Sequence, residues 1–211
     1  MSTPSDTDPP SGPPDTGDLA AGARGGDQGR FGELYGRLAP SLHAWAQLRI
    51  RPGFRRAVSP EDLVQEVWLR AAQVLHAFNP AKSSFRAWIF AVAKNVLLEV
   101  QRKLHRTWKD QTPEGDTGRA LALDQVPESI TSLTRRVARD EAVRRFVERA
   151  EALDEDDRRV LVHCGLEELT IAEAAGRLGL SPDATAKRWQ RLRERIREWR
   201  APRDLVAGDD G

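Results

Sequence analysis

Apolar residues recur every three or four positions through most of this chain, the spacing that gathers side chains on one face of an α-helix. No stretch alternates apolar and polar residues over the length of a half-buried strand. The periodic stretches cover residues 31–45, 60–77, 84–106, 132–150, 170–178 and 182–200. The pattern therefore predicts an all-α fold, in which Pro40 is expected to kink or split the first helix.

Two segments that are poor in apolar residues separate these helices into groups. Residues 1–26 contain four Asp and one Arg among Pro, Gly, Ser and Thr, a composition typical of disorder. Residues 110–127 contain two Pro and two Gly and indicate a flexible linker. The predicted organisation is a disordered acidic tail at 1–26, a helical domain at 27–109, a linker at 110–127, a second helical domain at 128–200 and a tail at 201–211.

The last two helices are joined in the manner of a helix-turn-helix. Thr170 followed three residues later by Glu173 is a capping box that opens the first of them. Gly179 can end that helix in the left-handed conformation. Ser181 can cap the next helix, and Pro182 occupies its first position, where a missing N–H has no cost. The spacing predicts a short turn between two helices, the arrangement that places a second helix in the major groove of DNA.

The final helix combines one apolar face with a surplus of positive charge. Its basic residues are Lys187, Arg188, Arg191, Arg193, Arg195, Arg197 and Arg200. Glu194 and Glu198 can pair with arginines three or four positions away, so a simply solvated basic face is the competing interpretation. Together with the helix-turn-helix junction, the surplus charge favours binding to duplex DNA.

The composition limits the possible chemistry. The net charge is only +1, but basic residues concentrate in 102–109 and in the last helix. The single cysteine, Cys164, excludes an intramolecular disulfide and fits a reducing cytoplasm. The four histidines are scattered without metal-ligand spacing, and there is no glycine-rich phosphate loop. We therefore predict no enzyme activity, no catalytic residue, no cofactor and no metal site, and a cytoplasmic location without a membrane-spanning segment.

Three motifs in the chain resemble the bacterial RNA polymerase sigma factors of the extracytoplasmic-function type. Residues 61–70 read EDLVQEVWLR, residues 84–89 read SFRAWI, and Ala93, Lys94 and Asn95 follow. Residues 153–196 are similar to that family's promoter-reading helix-turn-helix, which is related to the winged-helix-like DNA-binding domains. The resemblance extends over about residues 30–200. It identifies 27–109 as region 2 and 128–200 as region 4.

The resemblance also implies which residues of region 2 act. The expected contacts with core polymerase are made by Asp62, Gln65, Glu66 and Leu69. The expected contacts with the melted −10 element are made by Asn79, Lys82, Ser83, Arg86, Lys94, Asn95, Arg102, Lys103 and Arg106. These residues offer amide and hydroxyl groups for a base edge and cations for phosphates, as binding of a single strand requires.

Region 4 would read the duplex −35 element through its last helix. The expected contacts are made by Ala184, Lys187, Arg188, Arg191 and Arg195. The family's recognition helix commonly begins S-x-x-T-V-K-x-R, whereas residues 181–188 here read SPDATAKR. Phosphate contacts are therefore expected to shift to Lys187, Arg191 or Arg195.

The function implied by the resemblance is that of a sigma factor, which binds core RNA polymerase and promoter DNA and directs transcription initiation. An anti-sigma factor is a further partner that the resemblance suggests, and no small-molecule substrate is expected. Two alternatives remain open from the residues: a helix-turn-helix regulator that binds duplex DNA without polymerase, and a module that only binds proteins. Only the sigma function requires core polymerase, so dependence on core polymerase distinguishes it from both alternatives.

Overall fold

The computed structural model describes residues 15–109, 128–199 and 201–207. These residues form nine α-helices and no strand, which confirms the predicted all-α fold. Residues 1–14 of the predicted acidic tail, the whole predicted linker at 110–127 and residues 208–211 lie outside the described residues.

The N-terminal module consists of the first four helices. Their bounds are α1 Thr16–Arg24, α2 Gln28–Arg49, α3 Pro60–Val74 and α4 Phe85–Lys109. Helix α3 begins where its periodic stretch begins, because the Ser59 side chain accepts a hydrogen bond from the Asp62 amide and Pro60 takes the first position. Ser84 caps α4, since its hydroxyl accepts from the Ala87 amide at 3.1 Å.

The expectation of disorder through residue 26 is wrong for the residues that form α1. The Asp15 side chain accepts from the Asp18 amide and caps this helix. Leu19 and Ala20 are fully buried, and α1 packs against α2. Disorder was predicted from the average composition of residues 1–26, but a short Ala-rich helix needs only one small apolar face when a partner helix covers it.

Pro40 was expected to kink or split its helix, and it does not split it, because α2 runs without interruption from Gln28 to Arg49. This helix is central to the fold and packs against α1, α3, α4, α5 and α6. Packing on so many sides stabilises the helix against the loss of one backbone hydrogen bond at proline.

The C-terminal module contains five helices. Their bounds are α5 Glu128–Ala138, α6 Glu141–Glu151, α7 Glu155–Val160, α8 Ile171–Leu178 and α9 Pro182–Arg197, and α7 continues into a π-helical turn at Leu161–Leu166. The single helix predicted at 132–150 is therefore two helices. Asp140 ends the continuity, because its side chain accepts hydrogen bonds from the Ala142 and Val143 amides and starts α6.

The helix-turn-helix junction between α8 and α9 agrees with the prediction in detail. Both hydrogen bonds of the capping box between Thr170 and Glu173 are formed. Gly179 adopts φ +69°, the left-handed conformation that glycine takes without steric cost. The Ser181 side chain accepts from the Ala184 amide, with Pro182 at the first helical position. Local sequence signals are sufficient to determine this junction.

The two modules pack against each other in addition to being joined through 110–127. Helix α5 packs on α2 and α3, and α6 packs on α2. The buried apolar side chains of both modules belong to one continuous core. The two predicted helical domains are therefore present, and they also contact each other directly.

The end of the chain is also part of this packed structure. Within the predicted tail at 201–211, the described residues 201–207 include a 3-10 turn at Arg203–Leu205. Leu205 is fully buried, and Val206 is nearly so. We call residues 202–207 the C-terminal strap, because they lie across α2, α4 and the Leu161–Leu166 turn.

Candidate nucleic-acid and partner interfaces

The surface of α3 carries the four residues expected to bind polymerase. Asp62 and Leu69 are half-buried, whereas Gln65 and Glu66 are each only 8% exposed. The expectation that Gln65 and Glu66 lie on an open face is therefore wrong for this structure. Both α4 and α5 pack on α3, contacts that the spacing within α3 cannot reveal.

Helix α5 is held on the N-terminal module by specific contacts. The hydroxyls of Tyr35 on α2 and Thr134 on α5 are hydrogen bonded to each other. Next to this contact, Leu133 lines an open apolar groove together with Leu69, Trp68 and Phe31. A partner that covers Leu69 would therefore lie against a groove that α5 also borders.

The nine residues expected to contact the −10 element differ widely in accessibility. Six of them are exposed: Asn79, Lys82, Asn95, Arg102, Lys103 and Arg106. Ser83 and Lys94 are half-buried, and Arg86 is buried. The Asn79 side-chain oxygen accepts from the Ala81 amide at 3.0 Å, so it stabilises its own turn. The exposed group forms a basic strip along the second half of α4 and a separate patch in the turn before it.

Arg86 faces the C-terminal module instead of solvent. Its Nε donates to the Leu166 carbonyl at 3.1 Å, and its two terminal nitrogens donate to the carbonyls of Asp204 at 2.9 Å and Leu205 at 2.6 Å. Burial lowers the pKa of Arg86 to about 10, which leaves it charged at neutral pH. The structure thus corrects the expectation that Arg86 is available to DNA.

Lys94 takes part in a buried polar cluster centred on Glu167, whose side chain is fully buried. The Glu167 carboxylate accepts from Trp45 Nε1 at 2.8 Å and is hydrogen bonded to His163 Nδ1 at 3.0 Å. Arg177 donates to it at 3.3 Å, and Lys94 Nζ lies at 3.7 Å. Trp45 and Lys94 come from the N-terminal module and the other three from the C-terminal module, so this cluster joins the two.

Burial and neighbouring charged groups together shift the pKa values of Glu167 and Lys94. Burial alone would raise the pKa of Glu167, but hydrogen bonds from His163 and Trp45, with the charges of His163 and Lys94, hold it below its ordinary value. Burial lowers the pKa of Lys94, and the negative charge of Glu167 opposes this shift. The carboxylate is therefore ionised at neutral pH and paired across the module boundary.

The expected DNA-binding residues of α9 fall into two groups, one exposed at the helix surface and one that forms ion pairs with aspartates. Ala184, Lys187 and Arg191 are exposed on the surface of the helix. Arg188 is instead paired with Asp157 at 3.1 Å, Asp154 at 3.3 Å and Asp156 at 3.4 Å.

Arg195 also pairs with Asp157, at 3.2 Å. Asp157 is largely buried and bridges both arginines to the start of α7. Lys187 and Arg191 are therefore the residues best placed for a first encounter with phosphates.

Sequence reasoning missed three features of these interfaces. Glu167 had no motif around it, and its partner Trp45 lies 122 residues earlier in the chain. The acidic run at 154–157 is visible in the sequence and could have indicated partners for the arginines of α9. The apolar pair Leu205 and Val206 was the only signal for the C-terminal strap.

Neither a metal-binding group nor a membrane-spanning helix is present in the described part of the chain. Among residues 15–109, 128–199 and 201–207, no group of three or more His, Cys, Asp or Glu side chains is placed to hold a metal ion. None of the helices described is both long and apolar enough to cross a bilayer.

Comparison with known proteins places both modules in one family. Sigma-70 region 2 matches residues 34–107, and Sigma-70 region 4 matches residues 144–196. The chain is 28% identical over 141 residues to the ECF RNA polymerase sigma factor SigE of Mycolicibacterium smegmatis, covering 67% of this chain and 51% of that protein. It is 27% identical over 144 residues to the ECF RNA polymerase sigma factor RpoE of Cereibacter sphaeroides, covering 66% of this chain and 77% of that protein.

One solved structure is also similar, that of CnrH in complex with the cytosolic domain of CnrY. It is 26% identical, with a TM-score of 0.39, covering 85% of this chain and 93% of that one. The two family regions follow each other in the order and at the positions of the N-terminal and C-terminal modules. The chain spans about half the length of SigE, with which it shares these regions. It belongs to the sigma-70 family of RNA polymerase sigma factors, in the extracytoplasmic-function group.

Proposed function

We propose that this protein binds core RNA polymerase, recognises a promoter and directs transcription initiation in the cytoplasm. The observation that carries the proposal is the presence of both family regions in one chain, the second with a fully capped helix-turn-helix and a basic second helix. The protein would perform no covalent chemistry. It would position the polymerase by holding two promoter elements and the enzyme at once.

The duplex-reading role belongs to α9. A helix fits the major groove, where arginine can donate two hydrogen bonds to guanine and lysine can neutralise phosphate. Lys187 and Arg191 are exposed one turn apart, so both can face the same groove. Arg188 and Arg195 would join only after exchanging their aspartate partners for DNA.

The first prediction concerns Arg191. Arg191→Ala should weaken binding to a matched upstream element by about 1–3 kcal/mol if the side chain contacts a base. Lys187→Ala should instead weaken binding to all duplexes and reduce the salt slope by about one. Fluorescence anisotropy on matched and mismatched duplexes, at several salt concentrations, measures both effects.

The matched control is Arg149→Ala, which removes an exposed arginine from α6 in the same module. That variant should bind like the parent, because the side chain lies outside the helix-turn-helix. Equal losses for Arg149→Ala and Arg191→Ala would show that only net charge matters, and would contradict the assignment of α9 as the reading helix.

The second prediction concerns docking on polymerase through α3. Leu69 is half-buried at the edge of the apolar groove, so its removal alters the surface more than the core. Leu69→Ala should lower the affinity for core polymerase roughly tenfold, as expected for a buried apolar contact worth about 1.4 kcal/mol. Leu98→Ala on α4 is the control, since Leu98 is exposed and outside this face. Unchanged core binding by Leu69→Ala in a titration would contradict the docking surface.

Run-off transcription tests the function as a whole. Purified protein, core polymerase and a library of promoter fragments should yield transcripts that are absent without the protein. A protein that binds duplex DNA equally well with and without polymerase, and yields no transcript, would be a stand-alone regulator instead. Selecting fragments from the library also identifies the promoter sequence, which relatives cannot supply.

A further inference from the structure

The C-terminal strap occupies the position where the two modules meet. The Ser41 Oγ on α2 lies 2.9 Å from the Asp204 carbonyl oxygen and 3.0 Å from the Leu205 carbonyl oxygen, and its single O–H hydrogen is shared between them. The Ala207 amide donates to the Gly165 carbonyl at 2.7 Å. The strap is thus bonded to the N-terminal module through Ser41 and to the C-terminal module through Gly165.

The packing of the strap is as close as its hydrogen bonding. Leu205 is fully buried, and a Cβ atom added at Gly165 would lie 3.0 Å from a methyl carbon of Val206. No larger residue than glycine fits at 165 without displacing Val206, Trp189 or Leu161. A segment with buried side chains and backbone hydrogen bonds to both modules is a structural element of the fold.

The strap also holds the side chain that the N-terminal module would need for DNA. All three nitrogens of the Arg86 guanidinium donate to backbone carbonyls, two of which belong to the strap. While these bonds exist, Arg86 cannot neutralise a phosphate. In the same closed arrangement α5 packs on α3, and Gln65 and Glu66 of α3 are each only 8% exposed.

We propose that residues 202–207 form an autoinhibitory strap, which holds the two modules closed and withholds Arg86 and the α3 face from promoter and polymerase. The closed arrangement is inferred from the contacts described above, whereas its inhibitory effect rests on the proposed sigma function. Release of the strap would free the Arg86 guanidinium directly and would remove one of the contacts that hold the two modules together. The protein then exists in a closed and an open form, and core polymerase binds only the open form.

The test compares two truncated chains that differ only in the strap. A chain that ends at Ala201 lacks it, and a control chain that ends at Ala207 lacks only residues 208–211. The chain ending at Ala201 should have a larger radius of gyration by small-angle X-ray scattering. It should also bind core polymerase with a Kd about tenfold lower than the control, because a larger fraction is open. Equal radii and equal Kd values for the two chains would overturn the proposal.

A second variant keeps the test valid if the shorter chain loses helicity by circular dichroism. Ser41→Ala in the full-length protein removes the hydroxyl that bonds two strap carbonyls and leaves the core intact. Ser41→Ala should increase the radius of gyration and lower the Kd for core polymerase, each by less than in the chain that ends at Ala201. A radius and a Kd equal to those of the parent would contradict the proposal. If none of the chains binds core polymerase, the sigma function is wrong, and the radius of gyration alone decides whether the strap closes the modules.

Discussion

Glu167→Ala is expected to lower the free energy of unfolding by about 3–5 kcal/mol, the cost of removing one partner from a buried charge pair. The variant leaves the Trp45 N–H without its acceptor and the Lys94 ammonium without its counter-charge. It also creates a cavity where a fully buried side chain stood. Urea denaturation followed by circular dichroism measures the change.

The adjacent residue provides the control for this prediction. Glu168 is exposed, and its described side-chain hydrogen bond is to Ser84. Glu168→Ala should therefore change stability by less than about 1 kcal/mol. If Glu167→Ala and Glu168→Ala unfold at the same urea concentration, the cluster at the module boundary does not stabilise the fold as the contacts indicate.

The same cluster makes stability depend on pH in a defined direction. Because the pKa of Glu167 is lower in the folded protein than its ordinary value of 4.5, the folded state binds fewer protons at this group than the unfolded state. Its contribution is complete above that ordinary value and is lost as the pH falls through the lower, folded value. The stability difference between the parent and Glu167→Gln should therefore shrink over this acidic range, as thermal melts at successive pH values would show.

Local features of the fold could be predicted from the sequence because their causes lie within a few residues. The caps at Thr170 and Ser181 and the glycine at 179 all follow from contacts with the adjacent helical turn. The order of the helices and the family resemblance follow from patterns of the same short range. These signals were enough to locate α3, α8 and α9, which carry the proposed partner surfaces.

Whether a candidate residue is exposed, buried or paired with another side chain could not be predicted, because this depends on contacts between distant segments. Arg86 meets Asp204 across 118 positions, and Arg188 meets Asp157 across 31. No periodicity within α4 or α9 distinguishes an arginine held by protein from one that faces solvent. The burial of Gln65 and Glu66 has the same origin, since it depends on how other helices pack on α3.

Trp68→Ala is expected to lower the free energy of unfolding by about 3–5 kcal/mol, the usual cost of removing a large aromatic side chain from a core. Trp68 is fully buried on α3, on the side opposite the solvent. Its ring meets Tyr35 edge-on with centroids 4.7 Å apart, Phe31 at 5.6 Å and Phe85 at 6.5 Å. These contacts join α2, α3 and α4, so the loss extends over the whole N-terminal module.

Two neighbouring variants separate this structural role from docking. Trp68 Nε1 has no hydrogen-bond partner among the described residues, so Trp68→Phe loses volume but no hydrogen bond and should cost clearly less than Trp68→Ala. Leu69→Ala, one position along, should keep the parent's urea midpoint and lose core-polymerase affinity. Trp68→Ala should lose both together, because α3 cannot present its docking face without the core beneath it. A Trp68→Ala protein with the parent's urea midpoint would show that α3 is not anchored through this ring.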